Sequence, residues 1–149
     1  MDIRSALDQL IILQAALSIT DPETVTIKKA WKYMAPQDAI LPDAPCWMNE
    51  WRMVSEGRDS GLRRQDYTVH MQLFIDNADQ ERAADIASAF HVALVAALDL
   101  KITLSGTVVL HNLRGGDPTL AILERAGRSY VGLNLYLDLL MEDVGVFGV

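Results

Sequence analysis

Residues 63–98 read RRQDYTVHMQLFIDNADQERAADIASAFHVALVAAL, and the hydrophobic period changes once inside this stretch. In its first part Tyr67, Val69, Met71, Leu73 and Ile75 alternate with Asp66, Thr68, His70 and Gln72. That period of two belongs to a strand with one apolar and one wet face. From about Ala78 to Leu98 the spacing becomes three and four, with Ala83, Ile86, Ala87, Phe90, Leu94, Ala97 and Leu98 forming one stripe of a helix. Asn77 is the expected N-cap, because its side chain can accept from a first-turn amide. Asp79 and Glu81 put negative charge where the helix dipole favours it. The many alanines let this helix lie close on a sheet.

Toward the N-terminus, Ile3, Ala6, Leu7, Leu10, Ile11 and Leu17 predict an amphipathic helix over residues 2–18, widened by Ile12 and Leu13. Asp21-Pro22 is expected to stop it, since proline disfavours helical geometry in the preceding residue. Thr24 to Tyr33 then alternates, with Val25, Ile27, Trp31 and Tyr33 on one face and Thr24, Thr26, Lys28 and Lys32 on the other. The proline-rich run 35–45 reads as a loop. Cys46 to Val54 is a second strand with Trp47, Trp51 and Met53 on one side, and 55–64, with Gly57 and Gly61 among charged residues, reads as a mobile loop.

Toward the C-terminus, Lys101 to Leu110 reads as a strand broken at Gly106, and RGGDP (114–118) as a turn. Thr119 to Ala126 is a shorter strand. Arg128 to Met141 is the longest, with Val131, Leu133, Leu135, Leu137 and Leu139 on one face and Tyr130, Asn134, Tyr136 and Asp138 on the other. Residues 142–149 form a short tail. The expected order is α-β-β-β-α-β-β-β in one domain spanning 1–149. Alternating strands favour antiparallel pairing. Two helices on one face of such a sheet give an α+β two-layer sandwich.

Composition narrows the function classes. Half of the 149 residues are hydrophobic and 22% are charged, as in globular chains. The net charge of −7 weighs against a dedicated nucleic-acid binder. No apolar run is long enough to span a membrane, and Asp2, Arg4 and Asp8 do not suit a signal peptide. The single cysteine, Cys46, fits a reducing compartment and reads as a buried structural residue.

The search for chemistry gives no catalytic, cofactor-binding or metal-ligating residue. No glycine-rich phosphate motif is present; Gly57/Gly61 and Gly115/Gly116 have the wrong spacing. His70, His91 and His111 lack partners at metal-ligand spacing. No G-x-S-x-G elbow occurs. Asp76, Asp79 and Asp85 read as capping and dipole effects. A strand of the length of 128–141 extends roughly 45 Å at about 3.3 Å per residue, and long strands leave edges that an isolated monomer must protect. Large amphipathic rings are enriched at interfaces. The interface candidates are therefore Trp31, Trp47, Trp51, Tyr130 and Tyr136, together with Arg58, Arg63 and Arg64 around the predicted loop.

The segments ALDQLIILQAALSI, CWMNEW, GTVVLHNLRGGDPT and YVGLNLYLDLLMED, together with the 63–98 stretch, give a layout that resembles the tail terminator proteins of tailed bacteriophages. The resemblance covers nearly the whole chain and rests on architecture, with no invariant motif. It implies a non-enzymatic virion protein at the tail–neck junction, made in the host bacterial cytoplasm. Such a protein forms a hexameric ring, caps the tail tube, stops its polymerisation and docks the head. The implied partners are copies of itself, the tail tube protein and a head–tail connector or neck protein. DNA would pass through the lumen without specific binding, which suits an acidic chain. The other readings are another head–tail connector component, and a small-molecule-binding α+β domain using His70, Gln72 and Asn134.

Overall fold

The computed structural model describes residues 2–34, 44–59, 61–76, 79–114, 119–125 and 127–144. Helix α1 (Ile3–Ala15) starts at Asp2, whose carboxylate accepts from the Arg4 amide at 3.0 Å. It buries Ile3, Ala6, Leu7, Leu10 and Gln14, a three-and-four repeat. The helix ends earlier than Asp21-Pro22, because Leu17 and Ile19 are buried while Ser18 and Thr20 are exposed. That alternation belongs to β1 (Ser18–Ile19), which pairs antiparallel with β2 (Val25–Thr26).

The strand expected over 24–33 is divided. After β2 the backbone changes partners: the Ile27 amide donates to the Leu17 carbonyl at 3.3 Å and the Lys28 amide to the Pro45 carbonyl at 3.0 Å. Strand β3 (Lys29–Trp31) then lies parallel to the start of β4 (Cys46–Asp59). The expected loop 35–43 falls outside the described residues, and only Ala44 and Pro45 of that run are placed.

The segment 55–64 is not a loop. β4 continues to Asp59, the chain reverses, and β5 (Leu62–Asp76) pairs back antiparallel from Asp59↔Leu62 to Cys46↔Phe74. Gly61 takes a φ of 87°, a left-handed value that glycine accepts without steric cost. Charged side chains therefore decorate a ladder here. One irregularity interrupts it, a register shift between Met53 and Ser55 that leaves Val54 as an extra residue.

Helix α2 (Gln80–Asp99) follows the predicted stripe, with Ala83, Ile86, Ala87, Phe90, Leu94 and Leu98 buried. Its N-cap is Asp79, whose carboxylate accepts from the Arg82 amide at 3.2 Å, and Asn77 lies outside the described residues. Residues 101–109 do not form the expected strand. The Thr107 and Val108 amides turn back to the Thr103 carbonyl at 3.0 and 3.1 Å, so they cannot enter a ladder. Leu104, Ser105 and Gly106 take φ of 45°, 57° and 83° to make this turn. Burial of Leu104 and Val108 holds it against the cost of left-handed backbone.

Strand β6 is therefore short (Leu110–Leu113), followed by β7 (Thr119–Arg125) and β8 (Arg128–Val144). Of the predicted turn 114–118 only Arg114 is described. The tail contributes Glu142 to Val144 to β8, and 145–149 lie outside the described residues. Among the described residues the order is α-β-β-β-β-β-α-β-β-β, a mixed α+β fold. Its main sheet has the strand order β3-β4-β5-β8-β6, with β7 also on β8. All its pairings are antiparallel except β3 with β4.

The main core joins both helix stripes to Tyr67, Val69, Met71, Leu73 and Ile75 of β5 and to Val131, Leu133, Leu135, Leu137, Leu139 and Met141 of β8. Full burial of each such side chain stabilises by ~1.5–3 kcal/mol. A smaller cluster gathers Cys46, Met48, Phe74 and Tyr130, with Trp31, Ala44 and Leu123 packed against it. Gly132 lets β5 and β8 close. A Cβ there would collide with the Leu73 carbonyl oxygen and stand 2.6 Å from the Leu123 side chain.

Candidate functional site

The residues of β5 and β8 that do not enter the main core form cross-strand rows, because register fixes which side chains stand abreast. One row runs Glu50, His70, Tyr136, and the next runs Arg52, Thr68, Asp138, Asn112. A third runs Ser55, Asp66, Leu140, Leu110, and beyond it Gly57 and Arg64 stand beside Glu142.

These rows are laced together. The His70 and Tyr136 rings stack at 4.7 Å with an 11° angle between planes, and the Arg114 guanidinium lies 5.2 Å above the tyrosine ring. Asn134 Oδ1 lies 2.9 Å from both the Gln72 amide nitrogen and His70 Nε2. Both groups meet the same acceptor, so Nε2 carries the proton. Asp138 accepts from Thr68 Oγ1 at 2.8 Å and from Arg114 Nε and Nη2 at 3.1 Å. Donating hydrogen bonds to Asp138, and lying beside its charge, hold the Arg114 guanidinium above its ordinary value. On the opposite side of the sheet Arg63 binds Glu56 at 2.7 Å, while here Arg64 binds Glu142 at 2.7 Å and Ser55 donates to Asp66 at 2.7 Å. Polar groups on this face therefore satisfy one another.

The eight interface candidates separate. Trp47 is fully buried in the main core and Tyr130 is buried against Phe74, ring centroids 5.9 Å apart. Burial removes both from the surface of the folded chain, so as contact residues they are corrected. Their indole and phenol bulk supplies packing instead. Trp31 is half-buried beneath the Lys29 ammonium, 3.7 Å from its ring centroid. Trp51 and Tyr136 remain 39% and 41% exposed, with Trp51 edge-on to Tyr67 at 5.7 Å. They do not share a patch: Trp51 follows Trp47 and Asn49 along the helix-facing side, and Tyr136 stands with His70 on the other. Arg58, Arg63 and Arg64 come together at the distal end of the β4–β5 hairpin, where Arg58 stands opposite Arg63.

Two features lie outside the predicted set. Gln14 and Asn49, both fully buried, exchange reciprocal amide hydrogen bonds at 2.9 and 2.8 Å, and Asn49 also donates to the Trp31 carbonyl at 2.8 Å. The signal was present, since each polar residue occupies a core position in an otherwise apolar stripe. The second is a shallow cavity of about 410 Å³ between the C-terminal ends of α1 and α2, bordered by Ile12, Leu13, Leu100 and Lys101. Its walls are mostly apolar, with Gln9, Lys101 and Ser105 among them, and hold no carboxylate, histidine or cysteine.

Among the described residues no three His, Cys, Asp or Glu side chains are placed to hold a metal ion. His111 Nε2 sits 3.0 Å from the Leu98 and Lys101 carbonyls and so donates to the end of α2. Cys46 is buried. No helix of the described residues is long and apolar enough to cross a membrane. No protein-family model matches the chain, and no curated protein sequence matches it.

Proposed function

We propose that this chain is a ring-forming structural protein of the tail terminator kind, acting by association and turning over no substrate. The observation that carries the reading is the main sheet. Its central strands run 15 and 17 residues, well beyond the usual five or six, and among the described residues the outer ladder of β4 is open from Asn49 to Asp59. A monomer gains nothing from edges of that length, whereas an assembly uses them.

Two further features support it. Among the described residues, Thr68, Gln72, Arg114, Asn134 and Asp138 on the sheet face are engaged with each other, which favours a structural role over orienting a small molecule. The net charge of −7 suits a channel through which DNA moves without adhering. In this reading the two helices cover one face of the sheet as a two-layer sandwich. Six subunits close the ring, and the tail tube and a neck protein dock on its two rims at the tail–neck junction of a virion.

Size-exclusion chromatography with light scattering, over a micromolar concentration series, tests the reading. The expected result is a species near six subunit masses that negative-stain images show as a ring. A monomer at every concentration whose melting temperature rises with a metabolite would overturn it.

A further inference from the structure

Both long edges of the main sheet are open over the same stretch of its height. On one side β3 covers β4 only from Cys46 to Met48. After Trp31 the chain turns off the edge, and Lys32 pairs with Asp8 of α1 at 2.6 Å. Among the described residues, β4 from Asn49 onward has no neighbour on that side. On the other side, among the described residues, β6 pairs with β8 alone and its outer ladder is open. The β4 edge carries part of the usual protection, in the charged Glu50 and Arg52 and the irregularity at Val54. The β4 edge has no proline, and Trp51, Met53 and Val54 are exposed along it, as Leu110 is on β6.

Register through the sheet sets which residues stand level at its two sides. Arg52 is level with Thr68, Asp138 and so with Asn112. Glu50 is level with His70 and Tyr136, and the Arg114 amide bonds the Tyr136 carbonyl at 3.0 Å. Direction follows too. β4 runs with β8 and against β6, since each successive pair is antiparallel. Copies related by rotation about an axis along the strands would therefore bring β4 of one beside β6 of the next in antiparallel sense.

We infer that neighbouring copies of this chain join edge to edge, with residues 50–55 of β4 on one copy pairing antiparallel with 110–114 of the next. This inference rests on the ring reading above and names its contact. At equal height Arg52 stands beside Asn112, and Glu50 stands beside Arg114, which complements it in charge. The exposed apolar side chains of Val54 and Leu110, which lie on the same face of the sheet, come together there. A two-fold β4–β4 contact would leave 110–114 uncovered, whereas the heterologous contact occupies both edges with one interface and closes a ring.

The test is cross-linking of full-length Arg52→Cys, Asn112→Cys and the double variant with a short bis-maleimide, with mass followed by light scattering. Both positions are exposed, and Cys46 is buried and stays in place. Directly opposed residues in an antiparallel pair stand ~4.5–5.5 Å apart, within reach of the reagent. The expected result is a ladder of covalent oligomers from the double variant, a covalent dimer from the two single variants mixed, and none from either alone. Dimers from Arg52→Cys alone would overturn the inference in favour of β4–β4 pairing. A ring-sized particle without cross-links would overturn the edge contact and leave the ring reading standing. A particle that stays monomeric throughout would overturn both.

Discussion

Replacing Asn49 by leucine tests what the buried amide pair contributes. The substitution removes three hydrogen bonds at 2.8–2.9 Å and leaves the Gln14 amide and the Trp31 carbonyl inside the protein without partners. Each buried polar group left unpaired costs ~1–3 kcal/mol. Two of them, offset in part by the added apolar contact, give a loss of about 3 kcal/mol. For a chain of this length that corresponds to a melting temperature lower by ~6–12 °C. Gln14→Leu strands Asn49 instead and costs about 2–3 kcal/mol by the same reasoning. In the double variant Gln14→Leu/Asn49→Leu only the Trp31 carbonyl remains unpaired, so its loss falls to ~1–2 kcal/mol and it is more stable than either single variant. Urea unfolding followed by far-ultraviolet circular dichroism, at one fixed protein concentration because assembly shifts apparent stability, measures all four proteins. Single-variant losses that simply add in the double variant, within ~0.5 kcal/mol, would refute the reasoning.

Gly132→Ala places a methyl group against the Leu73 carbonyl and the Leu123 side chain, and the backbone cannot yield; we expect a loss of ~3 kcal/mol or more. Gly57→Ala meets nothing within 4 Å and should change stability by less than ~1 kcal/mol, so equal losses in thermal melts would contradict the contrast. Burial holds the Tyr67 phenol above its ordinary 10.0, so the folded state favours the protonated form. That contribution is complete below pH 10 and lost as pH rises through the folded value; Tyr67→Phe should flatten the alkaline decline of urea midpoints, and an unchanged slope would contradict it. Trp51→Ala, at a ring 39% exposed beside the open β4 edge, should lower the oligomer mass in light scattering while leaving the melting cooperative. An unchanged mass across a dilution series would count against contact there.

Sequence period was enough for the parts of the chain that face one partner throughout. β5, α2 and β8 each bury the stripe their spacing predicted, because each lies against the same layer along its whole length. The period failed where the partner changes. Residues 24–33 alternate smoothly, yet the ladder moves from β1 to β4 at Ile27 and Lys28, which only tertiary pairing decides. Residues 101–109 alternate too, but the amides of Gly106, Thr107 and Val108 are claimed by the Thr103 carbonyl. Glycine and charge in 55–64 suggested a loop, although two strands there pair with each other and β8 supports one of them.

The candidate contact residues were legible by type and not by depth. Trp47 and Trp51 share one side of β4, and local sequence does not distinguish them. The first is sealed in the core, while the second, beyond the Asn49 contact with Gln14, stays partly in solvent. Tyr130 and Tyr136 differ likewise: one packs on Phe74, the other stacks on His70 beneath a guanidinium. The cross-sheet rows became readable only when register was fixed, because a slip by one residue would exchange the two faces.

The pairing of β5 with β8 has a consequence for how the chain is made. Leu62 stands opposite Val144 and Asp76 opposite Tyr130, so the middle of the sheet is built from two long strands with α2, β6 and β7 between them in the chain. During synthesis the β4–β5 hairpin and α2 emerge first, with the inner flank of β5 bare until residues 128–144 leave the ribosome. Such late closure is slow and exposes apolar surface on the way. A nascent chain halted near residue 127 should therefore bind chaperones strongly, and release them once the last strand arrives.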